Sequence, residues 1–176
     1  LQDSVDAVTE LQYGDIIFYD TIIGHEAGQG AEDGALSEYI SSLDGQSYID
    51  VYSESGRLVI GDSRESVDMY AVEDGESFAR FVTLRDRVSG ERFDISAEGV
   101  IIPENIAVVY DLAAGDEVIY RTSGGAELAL KVSGVCEYYT GSQVYMSSAD
   151  FAAALSAAGE EAELAANTYL IARGYG

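Results

Sequence analysis

The chain has 176 residues, 47% of them hydrophobic, with 32 acidic against nine basic side chains and a formal net charge of −23. That length allows one domain, or one domain with a smaller insertion, whose core needs no disulfide or metal staple. A field of this sign repels phosphate backbones and anionic headgroups, which excludes nucleic acid as a partner and leaves cations and basic peptides as what it could attract.

A single cysteine, Cys136, excludes an internal disulfide. No apolar run approaches the ~20 residues a membrane-spanning helix needs, and no signal-peptide pattern opens the sequence. The first residue is Leu1 rather than Met, so the expectation is a piece excised from a longer protein that carried its tether. Thirteen tyrosines and no tryptophan suit strands and an exposed surface.

In chain order, residues 4–12 predict a short helix capped by Ser4, with Val5, Val8 and Gln12 on one stripe. DIIFYDTII (15–23) is apolar on both faces and predicts a central strand covered on two sides. GHEAGQGAEDG (24–34) imitates a phosphate loop, but it lacks the lysine, and Glu26, Glu32 and Asp33 would repel phosphate. It reads as a flexible loop, and its His25, the only histidine, has no metal partner at ligand spacing. Leu36, Tyr39, Ile40 and Leu43 recur at helical spacing and Gly45 ends that helix. SYIDVYS (47–53) returns as a strand, and RLVIGDS (57–63) with SVDMYAVED (66–74) predicts a hairpin. The stretch 78–95 carries Arg80, Arg85, Arg87 and Arg92, four of the nine basic residues. They read as surface arginines balancing nearby carboxylates.

The most organised stretch runs from 99 to 147. Ile101 and Ile102 form a short strand, Pro103 takes the first helical position, Glu104 suits the first turn, and Gly115 stops the helix. A strand over 116–120 follows, then a turn at Ser123-Gly124-Gly125. The next strand places Leu128, Leu130, Val132 and Cys136 on one apolar face, which makes Cys136 a small buried hydrophobe rather than a nucleophile. VYMSS leads into a helix capped by Ser147, buried along Phe151 and Leu155, and ended by Gly159. EEAELAAN (160–167) is an acidic connector that extends this helix, and TYLIAR (168–173) is the last strand.

The fold class expected is α+β: a split strand–helix–strand sandwich formed by residues 1–85 and 142–176, with an inserted smaller mixed α/β part over 86–141. The residues nominate no catalytic, cofactor or metal site. There is no HExxH, CxxC, GxSxG or Walker-type loop, and Lys131, the only lysine, has Leu128 where a Ser–Lys dyad needs its serine. Asp62, Glu65 and Asp68, or Glu73, Asp74 and Glu76, are candidate Ca²⁺ ligands. Neither set matches an EF-hand loop, and both read better as solvated turns.

GVIIPENIA (99–107), LAAGDEVIY (112–120) and LKVSGV (130–135), in that order, resemble the extracytoplasmic, MacB-like core domain of FtsX-like ABC transporter permeases. The pattern departs from that family at Pro103 and at Asn105-Ile106, neither of which disturbs a helix start. The resemblance implies a porter-like part (1–85 with 142–176) and an inserted sabre-like part (86–141). It also implies a place on the extracytoplasmic face of the cell membrane and no chemistry or cofactor of its own. Partners would be a cytoplasmic ABC ATPase, reached through a transmembrane part, and a second permease chain. The domain would transmit ATP-driven motion to a peptide, lipid-linked protein or drug. Leu1 to Gly14 and Arg173 to Gly176 would be the coupling ends, lying together at one pole. The competing readings are a secreted acidic module that binds cationic peptides or calcium, and a carboxylate-pair hydrolase.

Overall fold

Four stretches of this chain, 69–72, 100–103, 144–146 and 169–171, are apolar without alternation, and the fold buries both of their faces. The computed structural model describes residues 10–26 and 34–174. It is a mixed α+β structure of eight strands and a few short helices. The strands are β1 (Tyr19–Gly24), β2 (Tyr48–Ile60), β3 (Ser63–Val72), β4 (Val100–Pro103), β5 (Glu117–Arg121), β6 (Glu127–Cys136), β7 (Gln143–Ser147) and β8 (Thr168–Ala172). The helices are α1 (Gly34–Ser42), the single turn α2 (Gly75–Phe78), α3 (Glu104–Tyr110) and α4 (Ser148–Ala157).

The hydrogen-bonded order is β1-β8-β2-β3-β7-β4-β6-β5, and β5 pairs back onto β2, so β2 to β7 close into a barrel. Leu58, Val67, Met69, Ala71, Val100, Ile102, Val118, Leu128, Leu130, Val132, Val144 and Met146 belong to the core this barrel encloses. The alternate residues Tyr70, Val72, Ile101 and Tyr145 belong to a second core outside it. Period-two alternation with both sides covered is what gives these strands their continuous apolar runs. Phe151 and Leu155 of α4 and Ile106 and Ala107 of α3 add to the inner core.

The 13-residue β2 is shared. Its first residues pair with β8 and its later ones with β3 and β5. β8 lies antiparallel between β1 and β2, so β1, α1 and β2 form a split strand–helix–strand unit. Ile40 of α1 packs with Tyr169 and Ile171 of β8, while Val51 and Leu170 join the outer core with the barrel wall and the segment 78–95. The stretch 86–141 supplies β4, α3, β5 and β6, whereas β2, β3 and β7 of the barrel come from residues before and after it.

Several expectations are corrected. The 15–23 strand is not central: β1 starts at Tyr19, pairs only with β8, and leaves Ile22 52% exposed. Gln12–Ile16 before it forms a π turn closed by the Ile17 N–H on the Gln12 carbonyl at 2.9 Å. The expected strands 47–53 and 57–63 merge into one, β2, up to Ile60; the hairpin turn falls at Gly61-Asp62 and Ser63 opens β3. Pro103 ends β4 and stands just outside α3 instead of opening it, and α3 stops at Tyr110 with Asp111 left-handed at φ 53°, before Gly115. Residues 160–167 are irregular rather than helical, because Ala162 and Leu164 turn onto the inner core. Cys136 does not share a face with Val132: Val132 pairs with Val100 but Gly134 with Ile101, a bulge that reverses the alternation. Cys136 therefore lies in the outer core, fully buried. The helix expected over 4–12 and the loop over 24–34 fall largely outside the described residues.

Candidate functional site

Residues 17–20 meet residues 172–174. Tyr19 is opposite Ala172 in the β1–β8 ladder. Past it, the Arg173 N–H donates to the Phe18 carbonyl and the Arg173 guanidinium Nη2 to the Ile17 carbonyl, both at 2.9 Å. The Gly174 N–H reaches an Asp20 carboxylate oxygen at 3.4 Å.

This pole is stitched to the barrel by backbone and then by side chains. The Phe18 N–H donates to the Phe81 carbonyl at 2.9 Å, the Thr83 N–H to the Ile16 carbonyl at 2.8 Å, and Ile17 bridges Val82. Two residues further on, Arg85 Nε donates to Glu137 Oε2 at 2.6 Å, and the Glu137 N–H returns a bond to the Arg85 carbonyl at 2.7 Å. The Tyr139 hydroxyl donates to the other Glu137 oxygen, and Asp15 sits 4.0 Å from Arg85. Gln12 is fully buried and its Oε1 accepts the Tyr139 N–H at 2.8 Å. Glu137 is 6% exposed. Burial pushes its carboxyl upward, but the bonds from Tyr139 and Arg85 outweigh it and hold the pKa below the ordinary value. The Glu137 bond and charge in turn keep the Arg85 guanidinium firmly protonated.

The sequence predicts a surface charge at Arg85 and a place on a helical stripe for Gln12, and it nominates nothing at Glu137. The available signal was Glu137 itself: one carboxylate inside VCEYY, an apolar and aromatic run, calls for a buried cation.

The remaining candidates stay apart. His25 Nε2 lies 2.8 Å from Asp50 Oδ1 and Nδ1 3.0 Å from the Glu26 carbonyl, with the ring 4.5 Å from that of Tyr169. It joins the end of β1 to β2. Glu65 accepts the Tyr110 hydroxyl at 2.9 Å and Asp68 the Ser55 hydroxyl at 2.7 Å. Asp74 caps α2 by accepting the Ser77 N–H at 3.0 Å, and bonds from Ser77 hold its carboxyl below the usual range. Among the described residues no group of three His, Cys, Asp or Glu side chains could hold a metal ion. Burial lifts the Cys136 thiol to about 12, far from the thiolate a nucleophile needs. Lys131 is exposed on β6. No helix among the described residues is long and apolar enough to cross a membrane.

No protein-family model and no curated protein sequence matches the chain. Solved structures resemble it in fold. The periplasmic region of MacB from Actinobacillus actinomycetemcomitans aligns at 15% identity and a TM-score of 0.47, covering 87% of this chain and 74% of that one. The extracellular domain of the noncanonic ABC-type transporter YknZ from Gram-positive bacteria aligns at 14% identity and a TM-score of 0.48, covering 91% and 84% respectively.

Proposed function

We propose that this chain is a non-catalytic extracytoplasmic domain of an ABC transporter permease, which passes ATP-driven motion across the membrane to an exported or extracellular substrate. The observation that supports the reading is the pole: Phe18, close to the start of the first strand, and Arg173, just past the last strand, are hydrogen-bonded neighbours, so the first and last strands are held together at one end of the domain. A body held at one pole by two chain segments can be tilted or displaced as a unit when those segments move. The bonds from Ile16, Phe18 and Gln12 to residues 81–83 and Tyr139 connect the inbound segment to the barrel without a free linker. The ordered segments 99–107, 112–120 and 130–135 support the same family reading.

In this reading 1–85 with 142–176 form the porter-like part and 86–141 the sabre-like part. A cytoplasmic ABC ATPase is the motor, and a second permease chain is a further partner. The cargo is a peptide, a lipid-linked protein or a drug.

The test uses the full-length parent protein in intact cells. Ser123, exposed in the β5–β6 turn, is changed to cysteine and challenged with a membrane-impermeant maleimide from outside. The reading requires labelling without lysis, together with apolar segments of about 20 residues flanking the chain on both sides. Labelling only after lysis overturns it, as does a cleavable leader before Leu1 with a stop codon after Gly176. The latter pair would favour the secreted acidic module.

A further inference from the structure

We propose that the groove between α3 and the 86–93 hairpin docks a basic amphipathic helix of a partner protein. This surface stands whether or not the permease reading holds.

The hairpin is built to hold its shape. Asp86 Oδ1 accepts the Val88 N–H at 3.0 Å, the Ser89 N–H at 2.7 Å and the Ser89 hydroxyl at 2.8 Å. Its backbone closes through Asp86 N–H to the Glu91 carbonyl at 2.9 Å. Arg87 Nε then bonds both carboxylate oxygens of Glu104, at 2.9 and 2.8 Å, fixing the hairpin against the first turn of α3. Between them lies a groove of about 520 Å³ with Phe93, Ala107, Leu112 and Val135 in its lining.

Three large apolar side chains on the two elements that form the groove face water, and one of them, Val108, lines it. Val88 at the hairpin tip is 85% exposed, and Val108 and Val109 on α3 are 74% and 71% exposed. Folding does not account for them. Valine is a poor helix former, and two in succession on the outer side of a seven-residue helix contribute no burial. Exposed apolar side chains beside an apolar groove on a rigid frame mark a docking surface.

Charge selects the occupant. Asp86, Glu91 and Asp111 also line the groove, no Lys or Arg is among its lining residues, and Arg87 beside it is committed to Glu104. A second copy of this chain would bring another −23 and the same acidic rim. An anionic lipid surface would be repelled in the same way. A helix with leucine-like residues along one side and Lys or Arg beside them buries the valines and neutralises the rim together.

The probe is a synthetic Leu/Lys amphipathic helix of about 18 residues, or five turns. Controls are a scrambled peptide of equal composition, a Leu/Glu counterpart, and phosphatidylglycerol vesicles, all followed by amide chemical shifts of the whole chain near physiological salt. The proposal expects the ordered Leu/Lys peptide to bind with shifts confined to 86–93, 104–113 and 134–135. The triple substitution Val88→Ser, Val108→Ser, Val109→Ser should weaken binding about tenfold or more without lowering the melting temperature. Equal binding of the scrambled peptide, with shifts scattered over the surface, would reduce the effect to bulk charge and overturn it. Self-association through the same amides, or vesicle binding, would also overturn it by assigning the groove to another occupant.

Discussion

The Arg173 side chain donates from Nη2 to the carbonyl of Ile17 at 2.9 Å, joining the last described turn of the chain to a residue two positions before β1. The backbone bond from Arg173 to Phe18 lies beside it, so one residue makes both clasps between the two ends. Replacing Arg173 with alanine removes the side-chain bond and leaves the backbone one to fray. The expected loss is about 1 kcal/mol, the ordinary net value of one hydrogen bond. Amide hydrogen exchange checks it: the Arg173 and Thr21–Ile23 amides should exchange faster, while Leu58 and Tyr120 in the barrel keep their protection. Uniformly faster exchange would show that the pole is not a local clasp.

Glu137 holds Arg85 and Tyr139 from a buried position, and Glu137→Gln keeps the shape while removing the charge. The expected cost at neutral pH is about 2 kcal/mol, the range for a hydrogen bond to an ionised group. Its folded pKa is depressed, so the folded state favours the ionised form. The contribution is therefore complete above the unfolded carboxylate value of about 4.3 and disappears as pH falls through the lower folded value. Urea unfolding of both proteins across this range should show the wild-type advantage shrinking with acidification. A difference independent of pH would place its origin in packing rather than charge.

The legible parts of this fold are those in which local signals and tertiary burial agree. Ser147 does accept the Asp150 N–H at 3.1 Å as a helix cap, and Ile40 is the buried member of the Leu36–Leu43 stripe. Failures came where a distant partner decides. Residues 54–56 separate two expected strands, yet Gly56 lies mid-strand, where Tyr120 from β5 occupies the space a side chain would need. The 15–23 run is apolar on both faces, but Ile16 and Ile17 are buried by residues 78–84, a contact no local periodicity encodes. The clasp of Gln12, Arg85, Glu137 and Tyr139 draws on positions up to 127 residues apart, and only the misplaced charge at Glu137 hinted at it.

Gly56 gives a direct test of that long-range contact. A Cβ there would sit 2.2 Å from the Tyr120 hydroxyl oxygen. Tyr120 cannot swing away, because its ring is fully buried and its hydroxyl donates to Glu54 at 2.8 Å. Gly56→Ala should therefore cost about 1–3 kcal/mol as an overpacked core, despite alanine's better strand entropy. The double substitution Gly56→Ala, Tyr120→Leu removes both the hydroxyl and the ring atoms Cζ and Cε2, which the Cβ would meet at 2.4 and 2.6 Å. It should be less destabilised than the two single changes added together. Simple additivity in denaturant melts would mean that Gly56 is there for backbone freedom alone.

Charge sets the last expectation, and the sign follows from counting what salt screens. Nine cations face 32 carboxylates, so most carboxylates have only like charges for neighbours, as along Glu160, Glu161 and Glu163. The attractive pairs that salt could weaken are few among the described residues. Arg87–Glu104 is exposed and contributes little, and Arg85–Glu137 is held by short bonds in a buried setting where screening is weak. Raising NaCl from about 0.02 to about 0.5 M shortens the screening length from beyond 20 Å to a few ångströms and relieves repulsion over the whole surface. The melting temperature should therefore rise by several degrees, with Glu137→Gln rising by a similar amount. A fall with salt would mean that paired charges outweigh the unpaired ones, and the acidic surface would then be a scaffold of local contacts instead of a field open to a basic partner.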